Sequence, residues 1–423
     1  MDSLSLLFWI VSGILLQLSI YLGIAYWRHW RDYHALPNQE DLDLTVGGDK
    51  ARDVADSTVA ARLGFRTFRV DKKVMEDACS SICSFLLVPE DGKPLPPFLP
   101  GQFLTFRLDL PAAKGGTEQI IRCYSLSDAP CPDSYRVSIK RVPPPFGTNV
   151  PPGRSSHYFH DYVTIGSLLQ VRAPSGHFHI DSSDEPLVLI GGGIGITPML
   201  SMLNWCLVNQ PAREVWLFYG VRNGREVVMK SHLEALALSH THFHLQVCFS
   251  APQPNDIVGR DYHHQGRIDI NLLRTQLPAK LSHFYICGPT PMLESLVPAL
   301  EDWKVPDTHI HFEAFGPSSI KRRSARNSVT DPQNEAVTNA IFVNFSQSGK
   351  QLQWLPNADS LLELAESQGI SVNSSCRAGS CGSCQTKILS GEVAYRQAPD
   401  YDPEPGTCLL CVCSPKTHLI LDV

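Results

Sequence analysis

Residues 4–27 carry no charged side chain, an apolar run unlike any other in the sequence. At about 1.5 Å per residue, a helix of that length covers the roughly 30 Å hydrocarbon core of a bilayer. Tyr21, Tyr26, Trp27 and Trp30 crowd its end and Arg28, His29 and Arg31 follow, while no Lys or Arg precedes it. Aromatic belts and the positive-inside rule then predict a single-pass transmembrane anchor within 1–30 that leaves the rest of the chain facing the cytoplasm. A cleaved signal peptide is the competing reading, but its basic leader and shorter apolar core are missing. Polar residues with Gly47-Gly48 and several acids fill 31–61 and read as a tether.

Beyond the tether the hydrophobic spacing shortens. Residues 65–70, 84–88, 102–108, 135–140 and 168–172 are short apolar or alternating runs between Pro and Gly turns, which predicts an antiparallel β-barrel over 62–182. From 183 to 316 solid apolar runs at 186–190, 215–219, 244–249 and 283–287 alternate with helical periodicity at 198–208 and near 226–238. Such alternation predicts an α/β doubly wound parallel sheet. Residues 317–338 mix Ser, Asn and Pro with the basic cluster Lys321, Arg322, Arg323 and Arg326, and read as a linker. The last unit, 339–423, joins a strand run at 340–345 to a helix at 360–368.

Composition narrows the chemistry. The 423 residues are 43% hydrophobic and 18% charged, as in an ordered globular protein, and a net charge of -6 argues against nucleic acid as a partner. Cys376, Cys381 and Cys384, with Cys411 a distant fourth, have the C-x4-C-x2-C spacing of plant-type [2Fe–2S] proteins. Zinc is the alternative, yet zinc usually takes paired C-x2-C halves, and here the first and fourth cysteines stand alone. Cys408 and Cys413 flank Cys411; Cys411 is preferred because Pro415 follows it at the interval of ferredoxins, which this segment resembles. The other cysteines read as core residues in a reducing compartment. His263 and His264 have no cysteine or acid nearby in ligand spacing and read as structural.

Four motifs remain. Arg122-Cys-Tyr124-Ser125 offers a cation, a phenol ring and a hydroxyl to an aromatic, phosphorylated ligand. The stretch from Gly153 to Ser156 reads as a turn into a short helix whose first N–H groups would receive a pyrophosphate. Each is weak alone. The run Gly191-Gly192-Gly193-Ile194-Gly195-Ile196-Thr197 then joins a strand to a helix opening at Pro198, a phosphate-binding crossover though not a strict G-x-G-x-x-G. Cys287-Gly288-Pro289 ends a later strand, at the edge where such sheets bind ligands.

In this order and spacing the motifs resemble the ferredoxin-NADP reductase superfamily, and with the cysteine pattern after them the chain resembles the one-component reductases that serve oxygenases. The flavin half is most similar to the FAD-binding reductase module of flavohaemoglobins. Coverage runs from about residue 65 to 423. The resemblance implies FAD, with Arg122, Tyr124 and Ser125 around the flavin and Gly153 and Ser156 at its phosphates. It implies that Gly192, Gly193, Gly195 and Thr197, with Gly288 and Pro289, hold NADH or NADPH, and that Cys287 lies beside the nicotinamide. Glu313 and Phe315, in the family's closing strand, would approach the flavin ring, so Ser125, Cys287 and Glu313 become the candidate catalytic residues. The final unit would be a β-grasp ferredoxin domain.

A nicotinamide gives up a hydride, two electrons at once, whereas the cluster takes one, so a flavin between them would split the pair. The region after the second parallel strand holds Arg222, Arg225 and Glu226, signals for both NADPH and NADH; the oxygenase-reductase resemblance tips the expectation to NADH. The expected acceptor is a redox protein, a membrane-associated oxygenase or a relative. A self-contained reductase of quinones, nitric oxide or other small molecules, and a non-catalytic scaffold subunit, are the other two readings.

Overall fold

The computed structural model describes residues 64–111, 115–144, 147, 151–315, 341–354, 358, 360–395, 399 and 401–423. The expected anchor and tether, and the linker 317–338, lie outside the described residues. No helix among the described residues is long and apolar enough to cross a membrane.

Six strands build the first sheet: β1 (Phe65–Met75), β2 (Ile82–Pro89), β3 (Phe103–Pro111), β4 (Thr117–Ser125), β5 (Tyr135–Lys140) and β6 (Leu168–Ser175), in the order β4-β3-β6-β1-β2-β5. All its pairings are antiparallel, and a bridge between Leu126 and Val137 brings the β4 end to β5 and closes the barrel. Alternation buries Phe85, Leu87, Leu104, Phe106 and Val137 inside. Helix α1 (Arg154–Asp161) plugs one end with Phe159, whose ring meets Phe85, Phe106 and Tyr124 edge-on. Strand β4 was not expected as a separate strand. Its burial does not alternate: Thr117, Glu118 and Gln119 are exposed, Ile120 and Tyr124 pack on the barrel core, and Cys123 and Ser125 meet neighbouring units.

The second sheet is entirely parallel: β7 (Leu187–Gly192), β8 (Val215–Val221), β9 (Phe243–Phe249), β10 (His264–Gln265), β11 (His283–Gly288) and β12 (Ile310–Ala314), ordered β10-β9-β8-β7-β11-β12. Leu187 and Leu189 of β7 pack under α2 (Ile196–Asn209) and α3 (Lys230–Ser239). Val188 and Ile190 face α4 (Ile270–Gln276) and α5 (Thr290–Asp302) instead. Two apolar faces on one strand explain its unbroken apolar sequence. Helix α2 starts at Ile196, two residues before the expected Pro198, since proline is tolerated in a first turn where its missing N–H costs nothing. Helix α3 starts at Lys230 rather than near Glu226, which lies in a separate 3-10 turn.

The third unit mixes β13 (Phe342–Phe345), β14 (Lys350–Gln353), β15 (Gln385–Ser390), β17 (Thr407–Leu409) and β19 (Leu419–Leu421) in one sheet, with β16 (Val393–Tyr395) and β18 (Cys413–Pro415) as a side ribbon. Parallel pairing of β13 with β19, and α6 (Leu361–Ser367) laid across, give the β-grasp arrangement. The Ser360 hydroxyl caps α6 by accepting from the Glu363 N–H.

One buried ion pair fixes the entrance to the parallel sheet. Arg213, 0% exposed at its side chain, donates to Asp181 at 2.8 Å, to the Glu185 carbonyl at 2.6 Å and to Gln210 at 3.0 Å. Burial pushes the Asp181 carboxyl up, but bonds from Arg213 and Ser183 outweigh it and hold the group at about 2, below its ordinary 3.8. The folded state thus favours the charged form, so its contribution is complete above pH 3.8 and is lost as pH falls through about 2. The shift corresponds to about 2 kcal/mol. Arg213→Ala is expected to lose about 2–3 kcal/mol at neutral pH, because it strands a half-buried carboxylate, and to flatten the pH 4–2 limb of the stability curve. Urea unfolding across that pH range checks both.

Candidate functional site

The order β7-β11 marks the switch point of the parallel sheet, where chain direction reverses across the fold and a crevice opens at the carboxyl edge. Gly192, Gly193, Gly195 and Thr197 leave β7 there, and Cys287, Gly288 and Pro289 end β11 beside them. The approach is close: a Cβ on Gly195 would stand 2.1 Å from the Cys287 carbonyl oxygen, and one on Gly192 2.8 Å from Pro289. Gly193 has φ +55°, with open space where a side chain would be. Buried Thr197 donates its hydroxyl to the Ile194 carbonyl at 3.0 Å, so it shapes the loop from within. These features fit a dinucleotide: bare backbone for its phosphates and a buried strand end for its nicotinamide.

Across the crevice, β11 and β12 pair Cys287 with Glu313. Cys287 is 0% exposed, and burial, with the Glu313 carboxyl next to it, raises its thiol well above the usual range. Glu313 is half-buried as a residue, but its carboxyl is enclosed: burial pushes it up to about 8 against an opposing bond from the Ser125 hydroxyl. Its Oε2 has no hydrogen-bond partner. An orphaned buried oxygen on a proton-bearing acid is a donor or acceptor waiting for a polar ring edge, which suits a flavin. Ser125, Glu313 and Cys287 therefore meet, although they come from the ends of β4, β12 and β11.

Arg122 and Tyr124 project from the same strand as Ser125. Tyr124 donates to Ser155 of α1 at 3.0 Å and is pushed up to about 12 by burial; Arg122 donates to the Ile121 carbonyl at 2.6 Å. Gly153 precedes α1, where a Cβ would press within 2.8 Å of Val142 and of Ser156. The Ser156 hydroxyl is buried and occupied, donating to the Gly153 carbonyl and accepting from the Val142 N–H. What α1 leaves for a phosphate is its first backbone N–H groups. Phe315 follows β12 and is exposed.

The cysteine loop is built for sulfur. Thiols of Cys376 and Cys381 contact each other, as do those of Cys384 and Cys411, and Cys376 also meets Cys411. Backbone N–H groups of Ala378 and Ser380 point at Cys376 Sγ, at 3.4 and 3.3 Å, and those of Cys376 and Ser383 at Cys381 Sγ, at 3.4 and 3.5 Å. Gly379 and Gly382 take φ +75° and +73°, and a Cβ on Gly382 would strike the Tyr401 ring at 2.7 Å. A [2Fe–2S] cluster fits this cradle: two pairs of thiols for two irons, with N–H donors on the ligand sulfurs. Cys408 and Cys413 lie buried against each other, which separates them from the four. None of the described cysteines is in a disulfide.

Other candidate clusters are structural. His263 accepts from the Val247 N–H and His264 bonds Gln246. Glu185, His283 and His309 converge: the imidazoles stack at 4.1 Å and Nε2 of each lies 3.0 Å from the same Glu185 Oε2, so the three groups satisfy one another within the protein.

Residues outside the expected set join the cluster loop to the barrel. The Cys123 N–H donates to the Ser375 Oγ at 3.1 Å, the Cys123 thiol contacts Cys381, and Arg172 of β6 donates to the Cys381 carbonyl at 3.2 Å. Cys123 is the unspecified position of R-x-Y-S. Strand pleating, which turns it away from Arg122 and Tyr124, is the one signal that could have found it.

A buried thiol cradle, a flavin strand and a nicotinamide crevice joined in this way define an NAD(P)H-dependent oxidoreductase that uses FAD and a [2Fe–2S] cluster. Residues 189–297 match the oxidoreductase NAD-binding domain family and residues 343–416 the 2Fe-2S iron-sulfur cluster binding domain family. A flavohaemoprotein of Halalkalibacterium halodurans is 38% identical over 255 residues, 60% of this chain and 60% of that protein. The flavohaem-like FAD/NAD-binding domain of a nitric oxide dioxygenase from Vibrio cholerae is 30% identical with a TM-score of 0.52, over 60% of this chain and 100% of that domain. A type IV self-sufficient cytochrome P450 monooxygenase shares the fold over 85% of this chain and 41% of that one, with a TM-score of 0.53 and 21% identity. The chain belongs to the ferredoxin-NADP reductase superfamily, with a flavohaemoprotein-type reductase module followed by a plant-type ferredoxin domain. It spans 60% of the length of the curated flavohaemoprotein that it matches at 38% identity.

The ligand assignment has a direct check. Cys411→Ser is expected to lose most of the cluster's visible absorption and change its electron paramagnetic resonance, whereas Cys408→Ser keeps both. The reverse pattern would move the fourth ligand to Cys408.

Proposed function

We propose that the chain takes electrons from NADH or NADPH and delivers them singly to a separate redox protein, an oxygenase or related acceptor, at a membrane to which residues 4–27 anchor it. The contact of the cluster loop with β4 carries this reading, since one strand bears both the flavin motif and the residue touching Cys381. The flavin, when bound, supplies the conversion from a two-electron hydride to one-electron steps. The protein groups position and insulate. Gly193 and Gly195 would seat the phosphates of the dinucleotide, Cys287 its nicotinamide, Tyr124 the flavin, and Ser125 with protonated Glu313 the polar edge of its ring. Arg222 donates to Glu226 at 2.6 Å, which ties up two of the charges that would choose between the nicotinamides. The oxygenase-reductase resemblance keeps NADH the preferred donor.

Cytochrome c reduction with NADH tests the direction of flow. A Cys384→Ser variant without cluster is expected to keep its rate of flavin bleaching and lose at least tenfold in cytochrome c reduction. Undiminished turnover with cytochrome c would favour a self-contained flavin reductase instead.

The Glu313 carboxyl supplies a pH test. Its folded value of about 8 lies above the ordinary 4.5, so the folded state keeps a proton that the unfolded chain releases, and stability falls between those values. Above pH 8 its negative charge would stand at the polar edge of a bound flavin and disfavour the negative charge that reduction brings there. The rate of flavin reduction is expected to fall as pH passes about 8, and Glu313→Gln to remove that inflection. Stopped-flow absorbance over pH 6–10 reads both.

A further inference from the structure

Arg172 is a buried cation. It is 9% exposed, and no carboxylate among the described residues lies within ion-pair distance of it. Its guanidinium is held between two rings, Phe65 of β1 at 4.7 Å and Tyr401 of the ferredoxin unit at 5.1 Å. Nη1 donates to the Cys381 carbonyl, and Nε has no hydrogen-bond partner. Desolvating a guanidinium this far costs several kcal/mol unless something negative compensates it. The groups around it are aromatic faces, a carbonyl, the cysteine loop and a second guanidinium, Arg107, on the same Phe65 ring. Cys123, on the adjoining barrel strand, adds a thiol in contact with Cys381 and an N–H to Ser375.

We infer that the flavin barrel sets the reduction potential of the cluster, through the Arg172 charge and the Cys123 thiol, so that the cluster accepts electrons readily only while docked on β4. This inference rests on the electron route proposed above. Reduction adds one electron to the cluster, drawn from the nicotinamide hydride by way of the flavin, and breaks no bond at either residue; Arg172 stays protonated throughout. An added negative charge is stabilised by a nearby cation in a low-dielectric contact, and by a donor to a ligand sulfur, more than the oxidised cluster is. Both effects raise the potential. Arg172 also couples it to docking, because Tyr401 and Cys381 belong to the ferredoxin unit while Arg172 and Phe65 belong to the barrel. Arg172 and Cys123 are positioning residues rather than catalytic ones.

Redox titration of the purified holoprotein, with the cluster followed by electron paramagnetic resonance, tests this without turnover. Arg172→Gln is expected to shift the equilibrium at least tenfold against the reduced cluster, about 59 mV to the negative side for one electron. Arg172→Lys keeps the charge and should recover most of that shift. Cys123→Ala should move the potential the same way by less, and Cys123→Ser, which keeps a donor, should stay near the parent. Cluster content and circular dichroism identify any variant that fails to fold, and the Cys123 pair then carries the test. An unchanged potential in Arg172→Gln and in Cys123→Ala overturns the inference, as does an equal shift in Arg172→Gln and Arg172→Lys. Failure of the electron route alone would instead leave these potentials shifted while cytochrome c reduction persisted without a cluster.

Discussion

Strand β4 is a wall shared by three units, and the site exists because one short strand can present different residues to each. Pleating sends Arg122 and Tyr124 to one side and Cys123 and Ser125 to the other. Tyr124 reaches α1, Ser125 reaches Glu313 on the parallel sheet, and Cys123 reaches the cysteine loop. A flavin held on this strand would have residues of both the donor crevice and the cluster cradle beside it.

The parallel sheet contributes a second constraint, the absence of side chains where backbones must meet. Gly195 lies against the Cys287 carbonyl and Gly192 against Pro289, so the phosphate loop and the nicotinamide end of β11 form one surface. Behind that surface the carboxyl of Glu313 is kept neutral by burial. The opposite end of the same strands is tied by the Arg213–Asp181 pair. The buried charge that fixes the scaffold thus stands away from the edge where chemistry is expected, and the neutral acid stands at it.

Much of this was legible in the sequence where one face of an element meets one core. The unbroken apolar run of β7, the glycine loop after it and the cysteine spacing each report a local requirement, and each lies where expected. Strand β4 was harder, since its first residues are exposed, its last meet neighbouring units as well as the barrel core, and its polarity does not alternate. The choice of Cys411 over Cys408 and Cys413 turned on a resemblance in sequence, whereas in the fold it follows from which thiols touch. Arg172 carries no motif at all. A basic residue on a barrel strand reads as a solvated face until the ferredoxin unit is seen to cover it. Partners from distant parts of the chain leave no periodicity to read.

The central claim is that nicotinamide electrons reach the cluster through the flavin within one chain. Rapid-freeze electron paramagnetic resonance after mixing the anaerobic holoprotein with NADH tests it most directly. The account predicts that the signal of a reduced [2Fe–2S] cluster grows as the flavin absorbance is bleached and reoxidised by one electron, with no acceptor present. A flavin that stays fully reduced beside an oxidised cluster, with NADH and with NADPH alike, would contradict it.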